Sequence, residues 1–218
     1  MSVITDSESL YLLCCRLAHA PHITVDTEFM REKTYWPQLC LVQLADENEA
    51  AAVDVLAEDI DLRPLLDLMA NESVLKVFHA ARQDLEIFFR LMGALPAPIF
   101  DTQVAAMVCG FGDSAGYETL VRNLTDQAID KSSRFTDWAQ RPLTEKQIDY
   151  ALADVTHLRE VYARLAQDLE KNGRKAWLKE ELCDLLDNGN YTFSPDAAWR
   201  RIKSRGAKPR YLAILREI

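Results

Sequence analysis

The chain has 218 residues, of which 49% are hydrophobic and 27% are charged, and its formal net charge is −9. No apolar run is long enough to span a bilayer, so we expect no membrane partner. The N-terminus MSVITDSESL lacks the basic region and hydrophobic segment of a secretory signal. Five cysteines, an odd number without a C-x-x-C pair, indicate reduced thiols in a cytoplasmic protein.

Hydrophobic periodicity predicts one helix, three consecutive strands and then alternating helices and strands. The predicted strands cover residues 22–29, 39–45, 50–55, 74–78 and 99–100. The predicted helices cover residues 9–20, 62–69, 80–91, 102–109, 117–124, 144–171 and 174–186. This order is typical of an α/β fold with a mixed central sheet, in which three antiparallel strands are followed by parallel strands and helices cover the faces.

The second half of the chain has three distinct segments. Residues 126–141 are polar and predict a long loop before the helix at 144–171, which the capping-box sequence TEKQ opens. Residues 188–196 are a turn-rich linker, and residues 197–218 predict a short helical extension of two helices. Because the final apolar-periodic helix has no end signal, we expect the chain to stop within a longer protein.

Charge is unevenly distributed along the chain. Residues 194–218 carry seven basic and two acidic side chains, a net charge of +5, which leaves −14 for the rest. An acidic body is unusual for a protein that handles nucleic acid. It is compatible with a metal-dependent nuclease, in which metal ions neutralise the site and basic segments hold the phosphate backbone.

Acidic residues at three places stand inside apolar runs, where a carboxylate is costly to bury. Asp26 and Glu28 are two residues apart on a strand and therefore leave the same face. Asp84 lies in the first turns of a helix, and Tyr150 and Asp154 share one face of a late helix. Carboxylates that converge without basic partners repel one another, so divalent metal ions are their natural occupants. The pattern indicates metal-assisted phosphoryl chemistry.

Each acid taken alone also has an ordinary explanation. Asp26 and Glu28 could be a solvated strand end, and Asp84 could be favoured by the dipole of its helix. Asp101 most simply caps the helix at residue 102, and Asp149 points to a different face from Tyr150. We therefore leave Asp101 and Asp149 out of the site.

The joint order of the motifs resembles the tyrosine-bearing branch of the DEDD superfamily of 3′→5′ exonucleases, and within it the ribonuclease D family. The segments DTEFMREKTYWPQLCLVQLA and DKSSRFTDWAQRPLTEKQIDYALADV carry the resemblance. It implies a ribonuclease H-like fold, with an exonuclease domain at residues 1–188. Residues 189–218 then form a linker and the start of a helical HRDC-like region, which the chain does not complete.

The resemblance also implies roles for individual residues. The expected catalytic set is Asp26, Glu28, Asp84, Tyr150 and Asp154. The four acids would bind two divalent ions, Mg²⁺ or Mn²⁺, with Asp26 between them. Tyr150 would orient the attacking water, because an ordinary tyrosine pKa of about 10 is too high for a base. The implied partner is RNA with a free single-stranded 3′ end, a transfer RNA precursor above all. We expect a monomer, although the sequence leaves the oligomeric state open.

Other residues are candidates for contact with nucleic acid: Thr27, Gln43, His79, Lys131, Trp138 and Arg141. The basic and aromatic mix around Trp138 suits single-stranded nucleic acid, yet Trp138 could equally be a core residue. His79 could be a core histidine or a group that supports Asp84. For the whole chain, the alternatives are a DNA-directed exonuclease of the same branch and a non-catalytic RNA-binding module.

Overall fold

A computed structural model describes residues 2–130, 133, 136–192 and 209–217 of the chain. Within these residues, six strands form one sheet in the order β1-β4-β3-β2-β5-β6. The strands are β1 (Ser2–Ile4), β2 (His22–Met30), β3 (Gln38–Ala45), β4 (Ala50–Asp54), β5 (Leu75–Phe78) and β6 (Ile99–Asp101). The arrangement of β2, β3 and β4 as consecutive antiparallel strands, followed by parallel β5 and β6, confirms the predicted mixed sheet.

Strand β1 is the one strand of the sheet that the sequence did not predict. It pairs in parallel with β4 at the sheet edge, through Ser2–Ala51, Val3–Ala52 and Ile4–Val53. Three residues are too few for an alternating pattern to be recognised, so this pairing depends on the tertiary fold.

Helices connect the strands and flank the sheet. Their bounds are α1 (Ser7–Leu17), α2 (Arg63–Ala70), α3 (Arg82–Met92), α4 (Thr102–Cys109), α5 (Tyr117–Thr125), α6 (Glu145–Lys171), α7 (Lys175–Leu185) and α8 (Pro209–Glu217). Helix α6 begins with the predicted capping box, in which Thr144 and Gln147 bond reciprocally. The helix α8 corresponds to the second of the two helices predicted at residues 197–218, and the first lies outside the described residues.

Helix α6 packs across β2, β3 and β4 and fixes one wall of the site. A buried cluster joins its first half to the sheet and to the preceding loop: Cys40, Leu41, Ala52, Trp138, Ala151 and Leu152. Because Ala151 and Leu152 face the sheet, the neighbouring Tyr150 and Asp154 are carried towards β2.

The chain divides into two compact units, Met1–Leu186 and Asp187–Ile218. The first contains the whole sheet, and the second contains a 3₁₀ turn at Asn188–Asn190 and helix α8. Helices in the described ranges fall short of the length and apolar character that a bilayer span requires.

Candidate active site

Three carboxylates meet above the middle of β2. Asp26 and Glu28 leave the same face of this strand, and Asp154 approaches from α6. One ligand oxygen from each lies within 4.8 Å of the others. A β-bulge follows directly after Glu28, so both acids precede the point at which the β2–β3 register shifts. The fold therefore brings the strand pair Asp26 and Glu28 next to the helix pair Tyr150 and Asp154.

Burial has changed the protonation behaviour of these acids. It raises the pKa of Asp26 to about 6, while the backbone N–H of Thr27 opposes the shift. The pKa of Asp84 is raised well above its usual value, first by burial and then by the negative charge of Asp26. Neighbouring carboxylates in such a place disfavour each other's charge, and a cation between them reverses this penalty.

Asp84 is held at the edge of the site by a strand-to-helix turn. The carboxylate of Asp101 accepts from the backbone N–H groups of Ala80 and Ala81 at 3.2 and 2.8 Å, and Ala80 has a φ of 54°. Asp101 also accepts from the first turn of α4, which confirms its predicted role as a helix cap. It thus fixes the start of α3 and, through it, the position of Asp84.

Thr27 lies between the two acids of β2 and lines the groove. It is only 6% exposed, and its Oγ1 donates to Asp84 Oδ1 at 2.5 Å. Its hydroxyl is therefore engaged by Asp84, and contact of its backbone N–H with nucleic acid stays a prediction.

Tyr150 lies beside Asp154, and their side chains are hydrogen-bonded. Burial raises the pKa of Tyr150 strongly, and the charges of Asp154, Glu28 and Asp26 add to the effect. The phenol therefore stays protonated at neutral pH, where it can donate or accept a hydrogen bond but cannot act as a base.

All five of these residues line one open groove of about 500 Å³: Asp26, Glu28, Asp84, Tyr150 and Asp154. A second chamber of about 280 Å³ adjoins it at Asp26, His79, Tyr150 and Asp154. The groove is open to solvent at the acids, and the chamber next to it is partly apolar, with Ile129 and Leu158 in its lining.

His79 faces both cavities as a neutral ring. Its Nδ1 lies 3.0 Å from Thr102 Oγ1, and that hydroxyl donates to the carbonyl of Phe78 at 3.0 Å. Since Thr102 has a single proton to donate, Nδ1 of His79 must carry the proton and Nε2 is an acceptor. Burial lowers the pKa of His79 to about 4, so the ring is uncharged at neutral pH.

Two residues predicted to contact nucleic acid are placed elsewhere. All N–H donors of Arg141 are hydrogen-bonded: they donate to Asp54 and to the carbonyls of Cys40, Trp138 and Gln140. It therefore has none for a phosphate and anchors the loop to the sheet. Gln43 lies in the middle of β3 and is 0% exposed, so a nucleic acid cannot reach it. Both predictions are corrected by burial and pairing.

Trp138 is a core residue at the rim of the groove. It is 2% exposed, belongs to the cluster under α6, and lies 6.0 Å from Tyr150 between ring centroids. This favours the packing alternative over a base-stacking platform. Lys131, the remaining candidate, lies outside the described residues.

Tyr117 is part of the site although the sequence did not indicate it. Its ring lies 5.1 Å from His79, and its hydroxyl donates to the backbone carbonyl of Asp154. A lone tyrosine at the start of α5 carries no motif; the only local signal is that Tyr117 directly follows Gly116 after a turn.

The residues present fit a divalent metal ion. Carboxylate oxygens are the ligands that Mg²⁺ and Mn²⁺ prefer, and Asp26, Glu28 and Asp154 already offer three of them within 4.8 Å. Asp84 adds a fourth carboxylate close to Asp26. Exposed acids often cluster without a metal, but Asp84 and Asp154 are buried, and a cation among the acids would offset the repulsion of their charges.

Comparison with known proteins agrees with this site. A family model described as 3′-5′ exonuclease matches residues 1–170. Ribonuclease D of Nitrobacter hamburgensis is 55% identical over 218 residues, which cover 100% of this chain and 57% of that protein. The chain spans about half the length of the curated relatives it matches.

Solved structures show the same fold. The crystal structure of Escherichia coli RNase D, an exoribonuclease involved in structured RNA processing, has a TM-score of 0.84 at 39% identity, over 92% of this chain and 53% of that one. Brucella melitensis NrnC bound to pGG has a TM-score of 0.74 at 25% identity, over 93% and 97%. The resemblance to ribonuclease D that the motifs indicated is confirmed. The chain belongs to the 3′-5′ exonuclease family.

Proposed function

We propose that this chain is a metal-dependent 3′→5′ exoribonuclease, which removes nucleoside 5′-monophosphates one at a time from the 3′ end of RNA. The observation that carries the proposal is the meeting of Asp26, Glu28 and Asp154 within 4.8 Å on the floor of an open groove. Family membership supports the same reaction class.

The acids divide into two groups by position. Asp26, Glu28 and Asp154 would hold one divalent ion, and Asp84 with Asp26 would hold a second. Mg²⁺ or Mn²⁺ bound there supplies Lewis acidity, which activates water and stabilises the leaving 3′ oxygen. Thr27, next to Asp26 on β2, would hold Asp84 in place through its hydroxyl.

Tyr150 would orient the attacking water. Its protonated phenol sits beside Asp154 and faces the groove, so it can hold the water in line with the phosphorus by a hydrogen bond. The proton released by the attacking water would pass to solvent and not to Tyr150, because the phenol is already protonated.

The substrate would be RNA with a single-stranded 3′ end, and transfer RNA precursors are the favoured class. Escherichia coli RNase D, an exoribonuclease involved in structured RNA processing, supports an RNA substrate. His79, with an acceptor Nε2 at the junction of groove and chamber, is the candidate contact to the terminal nucleotide.

We also propose a domain division and a location for the protein. Residues 1–188 would be the exonuclease domain, and residues 189–218 the linker and start of an HRDC-like helical region that adds RNA contacts. A cytoplasmic location is supported by the five cysteines, which all lie in the described ranges and are free thiols.

Digestion of a 5′-labelled RNA tests the proposal. With Mg²⁺ we expect a ladder that shortens from the 3′ end and a nucleoside 5′-monophosphate product; EDTA or Asp154→Asn should stop it. A 3′-phosphate on the RNA should slow hydrolysis, and internal cuts or metal-independent turnover would contradict the proposal.

The same assay separates the two alternatives. A matched DNA oligonucleotide that is trimmed faster than RNA in single turnover would favour the DNA-directed exonuclease, because the 2′-OH is what distinguishes the two substrates. If RNA binds the protein, seen as a shift of its mobility in a native gel, but is not trimmed at any Mg²⁺ or Mn²⁺ concentration, the non-catalytic binding module is favoured.

A further inference from the structure

Gln43 is a polar exception inside the buried part of β3. Residues 40–45 of β3 are buried, and Gln43 is the only member of this run with a carboxamide. Its Nε2 and Oε1 are both without a hydrogen-bond partner. Among the described residues, Trp138 Nε1 is the one other buried side-chain polar atom in this condition.

The register of the sheet places Gln43 beside Asp26. The two residues are directly opposed on antiparallel β3 and β2, so their side chains leave the same face. Residues paired in this way have Cβ atoms about 4.5–5.5 Å apart. A glutamine side chain has three rotatable bonds, and a change of rotamer brings its amide within reach of the neighbouring carboxylate.

The two groups are complementary as hydrogen-bonding partners. Gln43 has an unused N–H donor, and the directly opposed Asp26 presents a carboxylate, which accepts hydrogen bonds. A buried amide without partners destabilises a fold, and a methionine of similar shape would fill the same space without that cost. A role beside Asp26 therefore explains why an amide stands at this position.

We propose that Gln43 is a positioning residue for Asp26: its Nε2–H donates to the Asp26 carboxylate when that carboxylate binds a divalent ion. The hydrogen bond would orient the Asp26 carboxylate for the metal. Because Gln43 is fully buried, it acts through Asp26 and not by contact with RNA. The inference rests on the proposed function, because it assigns Asp26 to the metal. Groups that hold a metal ligand in this way typically contribute 10–100-fold to affinity or activity.

Binding of Mn²⁺ to the whole chain without RNA tests the inference. Free Mn²⁺ is followed by electron paramagnetic resonance for the wild type, Gln43→Met and the matched control Gln38→Met, which changes an exposed glutamine of the same strand. We expect Gln43→Met to weaken Mn²⁺ binding about 10-fold or more and Gln38→Met to leave it unchanged. In EDTA, the melting temperature of Gln43→Met should equal or exceed that of the wild type.

The dependence of kcat on Mn²⁺ concentration provides a second measurement, which should not change if Gln43 had only a structural role. For Gln43→Met, kcat at low Mn²⁺ should fall and should recover when Mn²⁺ is raised, while KM for RNA stays the same. Should Gln43→Met not fold, Gln43→Leu, which also lacks an N–H donor, carries the same test.

The outcomes distinguish this inference from the proposed function. Mn²⁺ affinity of Gln43→Met within twofold of the wild type, or a loss of activity that excess Mn²⁺ does not restore, overturns the role of Gln43. If the wild type and Asp26→Asn bind Mn²⁺ alike, the metal site itself is wrong, and the proposed function is overturned with it.

Discussion

At the scale of a single residue, the protonation state of Tyr150 decides between two roles: orienting the attacking water or removing its proton. Its pKa is raised by burial and by three nearby acids, so a base function is excluded near neutral pH. If it orients the attacking water, removing only the hydroxyl should reduce the rate of the chemical step and leave binding intact.

Tyr150→Phe should therefore lower kcat by about 100-fold, in the range seen when one well-placed donor is removed from an active site. Mn²⁺ affinity and KM for RNA should not change. Tyr162→Phe is the matched control, since Tyr162 lies on the same helix but packs against His22 and Phe100. Steady-state RNA trimming measures both, and a fully active Tyr150→Phe would rule out the orienting role.

Lys76 provides a residue-scale test of the fold through pH. It is 0% exposed in β5, its Nζ donates to the carbonyls of Asn71 and Ala97, and burial lowers its pKa to about 8. The folded state therefore binds fewer protons than the unfolded state between pH 8 and the ordinary lysine pKa of 10.5. Stability from this group is reduced below pH 8 and recovers as the pH rises.

The free energy of unfolding of the wild type, relative to Lys76→Met, should increase between pH 8 and 10. The full shift corresponds to about 3 kcal/mol. Urea denaturation of both proteins at several pH values measures this difference. A difference that stays constant over the interval would show that Lys76 has an ordinary pKa.

At the scale of elements, an ion pair between Arg141 and Asp54 holds the loop before α6. Arg141 binds Asp54 through Nε and Nη2 at 2.6 and 2.7 Å, and both side chains are largely buried. This pair fastens the loop that carries Trp138 to the end of β4, and Trp138 in turn packs against Tyr150.

Arg141→Met should destabilise the protein by about 3 kcal/mol, because it leaves Asp54 buried without its counter-charge. The double variant Arg141→Met with Asp54→Asn should cost less than the sum of the single changes. The exposed pair of Arg16 with Glu49 is the control, and its removal should have little effect on chemical denaturation. Strict additivity at Arg141 and Asp54 would contradict the coupling.

The contrast between the acids and Arg141 shows which parts of the site a sequence can predict. Asp26 with Glu28, and Tyr150 with Asp154, obey spacing rules that act within one strand or one helix, so their faces could be inferred. Arg141 meets Asp54 across 87 residues, and that meeting depends on the strand order. Gln43 could not be judged either, because only the sheet register reveals that it is buried opposite Asp26.

For the molecule as a whole, charge is unevenly divided along the chain. Residues 194–218 carry a net charge of +5 and the rest carries −14, so the basic segment is the part that we expect to contact the phosphates of RNA. The mixed sheet and the α6 capping box were predictable from local patterns, whereas the short strand β1 was not. The affinity for RNA would depend on the basic side chains, which patterns of hydrophobic packing do not reveal.

Changing Arg200, Arg201, Lys203 and Arg205 to Gln should raise KM for RNA while kcat is retained. If all four meet phosphates, the slope of log affinity against log salt should become shallower by about 3, at roughly 0.7 per contact for a single strand. Arg16 and Arg63 changed to Gln are the control, since both pair with acids outside the groove. Unchanged salt dependence would exclude the basic segment from RNA binding.

The central claim is that the acids of β2 and α6 hold a divalent metal, and crystals soaked in Mn²⁺ test it most directly. We expect an anomalous peak in contact with Asp26, Glu28 and Asp154, at oxygen distances of about 2.1 Å, and no such peak in Asp26→Asn. A wild-type crystal at saturating Mn²⁺ with no peak between these three carboxylates would contradict the account.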